Sequence, residues 1–291
     1  MIVPVFMQDF VCKADACQHT CCRGWEIDID EATAQRYQQL SGELGDMLRA
    51  NMTCEHGIWH FVLTKEGDCP FLRADGLCRL IRLAGEDILC TICREHPRFY
   101  QQVQGQELAG VGLACEKSVE LLLAEAGPLL FSYTEPEQAG TPADAPFSFA
   151  ELLAKLGIVC PTALSHWQAD LEADYLAFVL ETLAMTEPID AAWLPEITAL
   201  QQDVSATAAG VHSLLEKVPS GQMQRLYQYI FYRQLSALSD CSIESLAAYA
   251  ALGTLTICLL ALSRPLADAV RRWSEQIEYS PDNVALLLAV A

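Results

Sequence analysis

Four cysteines fall within eleven residues near the start of the chain, in the run CKADACQHTCCRGW from Cys12 to Trp25: Cys12, Cys17, Cys21 and Cys22. Core packing does not ask for such density, and an adjacent pair such as Cys21-Cys22 must aim its side chains in different directions. Thiolates are soft ligands for iron and zinc, so a metal or an iron–sulfur cluster accounts for the crowding. The pattern continues with Cys69 and Cys78, then Cys90-x2-Cys93, then Cys115. The candidate metal ligands are therefore Cys12, Cys17, Cys21, Cys22, Cys69, Cys78, Cys90, Cys93 and Cys115. Four thiolates suffice for one [4Fe–4S] cluster or one structural zinc. Nine imply either two sites or additional thiols lining one. The competing reading is a set of buried free thiols.

Charge narrows the partners. The 291 residues carry 18 basic and 38 acidic side chains, a formal net charge of −20. A nucleic-acid binder needs a basic face to neutralise phosphates, and anionic lipid asks for the same, so both are excluded as partners. An acidic surface attracts a basic or lysine-bearing protein. The opening residues MIVPVFMQDF lack the basic start and small-residue cleavage site of a secretory signal. A cytoplasmic location is expected, where thiols stay reduced and clustered cysteines bind metal rather than pair as disulfides. The uncharged stretch Leu246 to Leu262 is at the short limit for a membrane span and reads as a buried helix.

The pattern of elements predicts a mainly α protein: a cysteine-rich metal-binding module with short strands over residues 1–132, a linker at 133–148, and a helical bundle over 149–291. In the first part, residues 1–11 form a short strand, WEIDI alternates, and Asp30 caps a helix running to about Ala50. Trp59 to Leu63 forms a strand. An Asp75-Gly76 turn brings Cys69 back toward Cys78. A helix over Leu80 to Arg94 sets Cys90 and Cys93 on one face. A hairpin around Gly105 leads to Cys115 and a helix from Glu116. Three prolines in 133–148 mark the linker. Helices are then expected at about 149–157, 163–185, 191–217, 221–238, 242–263, 265–277 and from Asn283.

Weaker candidates stand beside the cysteines. Cys54, His56 and His60 have zinc-ligand chemistry, but a strand over Trp59–Leu63 aims the histidines poorly for a shared site. His19 and His96 flank cysteine runs as a ligand or proton carrier, or as ordinary loop histidines. Arg94 and Arg98 either bind a carboxylate and tune the charge of a cluster or satisfy a helix end. Gly110-x-Gly112 lacks the strand–turn–helix context of a nucleotide site. The aromatic run Tyr227 to Tyr232 fits core packing.

Four blocks, CKADACQHTCCRGW, CPFLRADGLCRL, EDILCTICREHPRFY and GLACEKS, together resemble the flagellin lysine N-methylase (FliB) family. Cys17, Cys21, Cys22 and the later CR pair also resemble, in part, the broader zinc- or iron-chelating CxxxCC family. The first resemblance implies methyl transfer from S-adenosylmethionine to surface lysines of flagellin, by a protein holding an iron–sulfur cluster, with 4Fe–4S favoured and zinc as the alternative metal. It assigns no catalytic residue and no S-adenosylmethionine contact. Cys17-x3-Cys21 lacks a further cysteine three positions on, so the CxxxCxxC of radical enzymes is missing and a polar displacement is expected. The alternative is a non-enzymatic metal-binding or redox protein.

Overall fold

The computed structural model describes residues 1–125, 127–134 and 145–290. It is mostly helical with two small sheets. The chain divides into two compact units: Val11–Arg98, and Met1–Phe10 together with Phe99–Ala291. These bounds differ from a 1–132 module followed by a 133–148 linker, and residues 135–144 of that linker lie outside the described residues. The difference arises from strand pairing. The first strand, β1 (Ile2–Pro4), is a partner of strands that follow residue 98 in sequence, and sheet hydrogen bonds hold it there.

The unit Val11–Arg98 contains β2 (Asp28–Ile29), α1 (Glu31–Gln39), α2 (Gly42–Ala50), β3 (Met52–Glu55), β4 (Ile58–Phe61), α3 (Arg79–Ala84) and α4 (Thr91–Glu95). Its sheet runs β2-β4-β3, antiparallel throughout. The single helix expected from Asp30 to Ala50 is two helices. Leu40 leaves the helix in an extended conformation, and Gly42 takes φ +82°, a left-handed value that glycine tolerates without cost from a side chain. The expected helix over Leu80 to Arg94 is likewise broken, at Gly85 with φ +78°, so only α3 and the short α4 remain. A compact core forms from Ile27, Ile29, Tyr37, Leu48, Phe61, Phe71 and Leu80, with Cys69 and Cys90 buried among them. Phe61 packs edge-on to Phe71 at 5.0 Å between ring centroids, a favoured aromatic geometry.

The other unit contains β5 (Arg98–Val103), β6 (Gln106–Val111), α5 (Glu116–Leu123), β7 (Leu130–Tyr133), β8 (Phe147–Ser148), α6 (Phe149–Lys155), α7 (Ala173–Ala184), α8 (Trp193–Gln201), α9 (Val204–Leu215), α10 (Ser220–Arg233), α11 (Ile243–Leu260), α12 (Leu266–Trp273) and α13 (Pro281–Val290). Its sheet order is β5-β6-β1-β7-β8, with β1 parallel to β6 and antiparallel to β7. The hairpin expected around Gly105 is present; Gln104 and Gly105 both take positive φ at its turn. The expected helix over 163–185 is only α7, preceded by a 3-10 turn at Thr162–Ser165. That over 191–217 splits into α8 and α9, where Asp203 caps α9 by accepting from the Ala206 N–H at 2.9 Å.

The tyrosines of α10 fasten helix to sheet. Tyr232 donates to the Ala109 carbonyl at 2.8 Å and lies 3.1 Å from that of Ile2, while Tyr229 donates to the Val111 carbonyl at 2.7 Å and accepts from the Val111 N–H at 2.8 Å. Gly110 belongs to this contact. A Cβ there would stand 2.6 Å from Phe99 and 2.8 Å from the Tyr229 hydroxyl, so packing explains the glycine. Helix α11 is long and apolar enough to cross a membrane by length and composition, yet 72% of it is buried inside the unit. An all-round apolar helix of this kind serves as the centre of a core.

Candidate functional site

Three segments carry the cysteines of the unit Val11–Arg98 toward its core. The first is the loop holding Cys21 and Cys22. Its backbone pairs with residues 67–69: the Gly24 N–H donates to the Gly67 carbonyl at 3.0 Å, and the Cys69 N–H donates to the Cys22 carbonyl at 2.8 Å. Arg23 forms an ion pair with Asp68 alongside. Cys22 is thereby fastened directly to Cys69.

The second segment is the tight loop CPFLRADGLC. Gly76 takes φ +77°, its N–H donates to the Arg73 carbonyl at 3.0 Å, and Leu72 bridges to Cys78. Asp75 accepts from the Leu77 N–H at 3.3 Å and pairs with Arg73 at 2.7 Å. This is the return expected of the Asp75-Gly76 turn, and it presents Cys69 and Cys78 from one loop.

Third comes the turn into α4. Cys90 is the N-cap residue and Cys93 lies one turn inside, so the pair belongs to a helix start rather than one face of a long helix. Two residues not singled out from sequence set this turn. Arg36 donates to the carbonyls of Asp87 at 2.8 Å and Ile88 at 3.1 Å, and the buried Tyr37 hydroxyl donates to Ile88 at 2.5 Å.

Electrostatics shows that the segments converge. Burial pushes the Cys69 thiol up to about 12, with further upward pushes from Cys22, Cys78 and Cys90. Cys78 is raised by burial and also feels Cys22 and Cys90. Cys93 is held far above the usual thiol range by its hydrogen bond with Cys90, by burial, and by the charges of Cys90, Cys22 and Cys69. Cys90 is lowered by the same hydrogen bond with Cys93, against the opposing effect of burial. A hydrogen bond from Cys21 brings Cys22 down to about 7. Cys22, Cys69, Cys78, Cys90 and Cys93 thus occupy one neighbourhood.

The remaining candidates are placed as follows. Cys12 and Cys21 are exposed and Cys17 is half-buried in the 11–25 loop, where Cys12 and Cys17 bracket a 3-10 turn at Ala14–Ala16. Cys115 caps α5 in the other unit. Cys54 is exposed on β3, opposite Trp59, while His56 sits at the β3–β4 turn with φ +51° and His60 faces Glu26 at 3.6 Å. His19 lies half-buried in the cysteine loop. Burial lowers the His96 imidazole to about 4, and its ring lies 6.0 Å from that of Trp25. Arg94 pairs with Glu95 at 3.5 Å, and Arg98 begins β5.

Among the described residues, no three Cys, His, Asp or Glu side chains stand at metal-ligating separations. The five convergent thiols nevertheless match an iron–sulfur cluster or structural zinc in donor type and number. Burial raises Cys69 and Cys78, the Cys90 hydrogen bond and burial raise Cys93, and the neighbouring thiols add to all three; a bound cation would favour the thiolate forms instead.

Fold and site together define a mostly helical protein with a thiol-rich unit. The chain is similar to two curated proteins named Lysine-N-methylase. One, from Salmonella choleraesuis (strain SC-B67), is 26% identical over 190 residues, covering 60% of this chain and 45% of that protein. The other, from Salmonella typhimurium (strain LT2), is 25% identical over 186 residues with the same coverage. The chain thus spans about half the length of these relatives. A third, Flagellar biosynthetic protein FliU of Salmonella muenchen, is 26% identical over 126 residues, covering 41% of this chain and 75% of that protein. The resemblance carried by the four cysteine blocks agrees with the first two names. No family model matches the chain, and no solved structure matches it.

Proposed function

We infer that the chain acts in protein-lysine N-methylation, with flagellin as the protein substrate, S-adenosylmethionine as the methyl donor and a metal centre, an iron–sulfur cluster or zinc, held by the thiol-rich unit. The observation that carries this reading is the convergence of Cys22, Cys69, Cys78, Cys90 and Cys93 in a chain whose relatives are named Lysine-N-methylase. The flagellar name of the third relative supports flagellin as the substrate. A cytoplasmic location fits a site built from free thiols.

Chemistry constrains the transfer. A neutral lysine amine displaces the methyl group from the sulfonium, whose sulfur departs with the bonding electron pair as a neutral thioether. The amine must shed a proton before or during attack. Bound to these thiolates, a metal centre supplies a covalent brace and, where one position stays open, a Lewis-acid site. The chain's own contribution is a set of backbone clamps: Cys22 to Cys69, the Gly76 turn, and Arg36 on the approach to Cys90.

The reading is tested by anaerobic purification, quantification of iron, acid-labile sulfide and zinc, and incubation with methyl-labelled S-adenosylmethionine and flagellin. Label on flagellin lysines is the expected result. A filled metal site with no transfer points instead to a non-enzymatic metal or redox protein, and absence of bound metal removes the centre from the account.

A further inference from the structure

Most arginines of the unit Val11–Arg98 are engaged inside it. Arg23 pairs with Asp68, and Arg36 donates to the carbonyls of Asp87 and Ile88. Arg49 donates to the carbonyls of Tyr37 and Leu40 and pairs with Asp46. Arg73 pairs with Asp75, and Arg94 with Glu95. Arg79 and Arg82 differ. Both are exposed, and among the described residues neither guanidinium has a carboxylate within ion-pair distance or makes a hydrogen bond.

Local geometry sets the two on one surface. Arg82 follows Arg79 by three residues on α3 and Leu83 follows it by four, so the three side chains share a helix face. Only Leu80 of α3 is buried, and Leu83 is 58% exposed. Arg79 also lines a surface pocket of about 530 Å³, with Pro70, Leu72, Arg73, Ala74 and Asp75 as its other walls. The loop beneath is held by its own backbone. Leu72 bridges to Cys78, the Arg79 N–H donates to the Phe71 carbonyl at 2.8 Å, and the Arg73 N–H donates to the Leu77 carbonyl at 3.0 Å.

Charge distinguishes this surface from the rest of the chain. Residues 70–85 carry three arginines and one aspartate, a net +2, in a chain of net −20. The aspartate is already paired with Arg73, so the charges of Arg79 and Arg82 face outward uncompensated. Arginine is enriched at protein interfaces, and its planar fork binds a carboxylate through two parallel hydrogen bonds. Exposed leucine beside it adds apolar surface to bury. A long phosphate backbone is repelled by the overall charge, and a lysine side chain by the two guanidiniums. The surface is complementary to carboxylates interspersed with apolar side chains.

We propose that the Arg79–Arg82–Leu83 face of α3, with its adjoining pocket, is the docking surface for an acidic segment of a partner protein. One carboxylate of the segment pairs with Arg79 at the pocket and a second pairs with Arg82. Apolar side chains of the segment lie against Leu83 and over the pocket floor at Leu72. The surface is built on the loop that carries Cys69 and Cys78, so the docked segment lies beside the thiol-rich centre. The assignment goes beyond the methyltransferase reading and does not depend on it, because docking needs neither metal, methyl donor nor a lysine.

The test follows the fluorescence anisotropy of a labelled peptide of alternating glutamate and leucine as the full chain is added, with the matching glutamine–leucine peptide as control. The glutamate peptide binds and the glutamine peptide does not. Arg79→Gln and Arg82→Gln each weaken binding about fivefold, and Arg79→Lys, which keeps the charge without the fork, weakens it less. Raising salt from ~50 to ~300 mM weakens the complex, as exposed ion pairs require. Lys217→Gln, an exposed change in the other unit, leaves binding as it was. Melting temperatures matching the native protein show that each variant is folded. The assignment is overturned by equal binding of both peptides, by undiminished binding in folded Arg79→Gln and Arg82→Gln proteins, or by an equal loss in Lys217→Gln. It is also overturned if inorganic phosphate displaces the peptide as well as unlabelled peptide does, which marks a simple anion site. Self-association in sedimentation velocity that disappears in Arg79→Gln overturns it too, by making a second copy the occupant. Methyl transfer to flagellin enters none of these readouts, so the two readings fail separately.

Discussion

The Asp30 carboxylate accepts a hydrogen bond from the backbone N–H of Thr91 at 2.8 Å, 61 positions further along the chain. Its other oxygen accepts from the Thr33 N–H at 3.0 Å. One side chain therefore caps two helix starts, α1 and the α4 turn that holds Cys90 and Cys93. Burial alone would raise the Asp30 carboxyl, but the hydrogen bonds from Thr91 and Thr33 outweigh it and hold the group at about 2.

Replacing Asp30 by alanine removes both caps. At ~1 kcal/mol per cap, Asp30→Ala lowers unfolding stability by about 2 kcal/mol. Denaturant unfolding at neutral pH measures this. The folded value lies below the ordinary aspartate value of ~3.9, so the stabilisation is fully present above that pH and is lost as pH falls through about 2. The gap between the native protein and Asp30→Ala should close on acidification across that window, and a gap that stays constant there would contradict the cap assignment.

Gly110→Ala sets a methyl group 2.6 Å from the Phe99 ring, in the contact that joins α10 to β6. Overpacking of a filled core costs about 1–3 kcal/mol. A lower melting temperature is expected, with partial recovery when Phe99→Leu is added to relieve the clash. Gly105→Ala places its methyl in open space but at positive φ, and tests backbone strain separately.

Arg233 and Glu278 form an ion pair at 2.5 Å whose carboxylate side chain is 1% exposed. Ser274 also donates to Glu278, at 2.5 Å. Removing one partner of such a pair strands the other charge, at a cost of about 3–5 kcal/mol. Glu278→Leu is therefore strongly destabilising. The double variant Arg233→Met/Glu278→Leu loses much less than the two single losses combined, and additivity in that double-mutant cycle would rule out the coupling.

Cysteine variants separate the convergent thiols from the others. Cys69→Ser and Cys90→Ser, at buried positions, lose most of the bound metal as measured by elemental analysis. Cys54→Ser, exposed on β3, retains it. Chelation of the metal lowers the unfolding stability of the native protein and not that of Cys90→Ser. Equal metal content in all four proteins would separate the thiols from any metal site.

Local sequence determined the elements whose signals lie within a few residues. Asp30 reads as an N-cap, Asp75-Gly76 and Gly105 as turns, and Leu246–Leu262 as a buried helix, because each rests on backbone freedom, a nearby polar side chain or an unbroken apolar run. Glycine position misled the longer helices: Gly42 and Gly85 take positive φ at the breaks between α1 and α2 and after α3, where an uninterrupted helix is expected from sequence. The cysteine runs announced a thiol-rich site, and the tertiary fold selected Cys22, Cys69, Cys78, Cys90 and Cys93 as the set that interacts. It also decided that Asp30 meets Thr91, that β1 joins the sheet of a distant segment, and that Arg79 lines a pocket with Pro70 and Leu72. Those relationships depend on which faces bury together, and burial is a property of the whole chain's packing that no short stretch of sequence encodes.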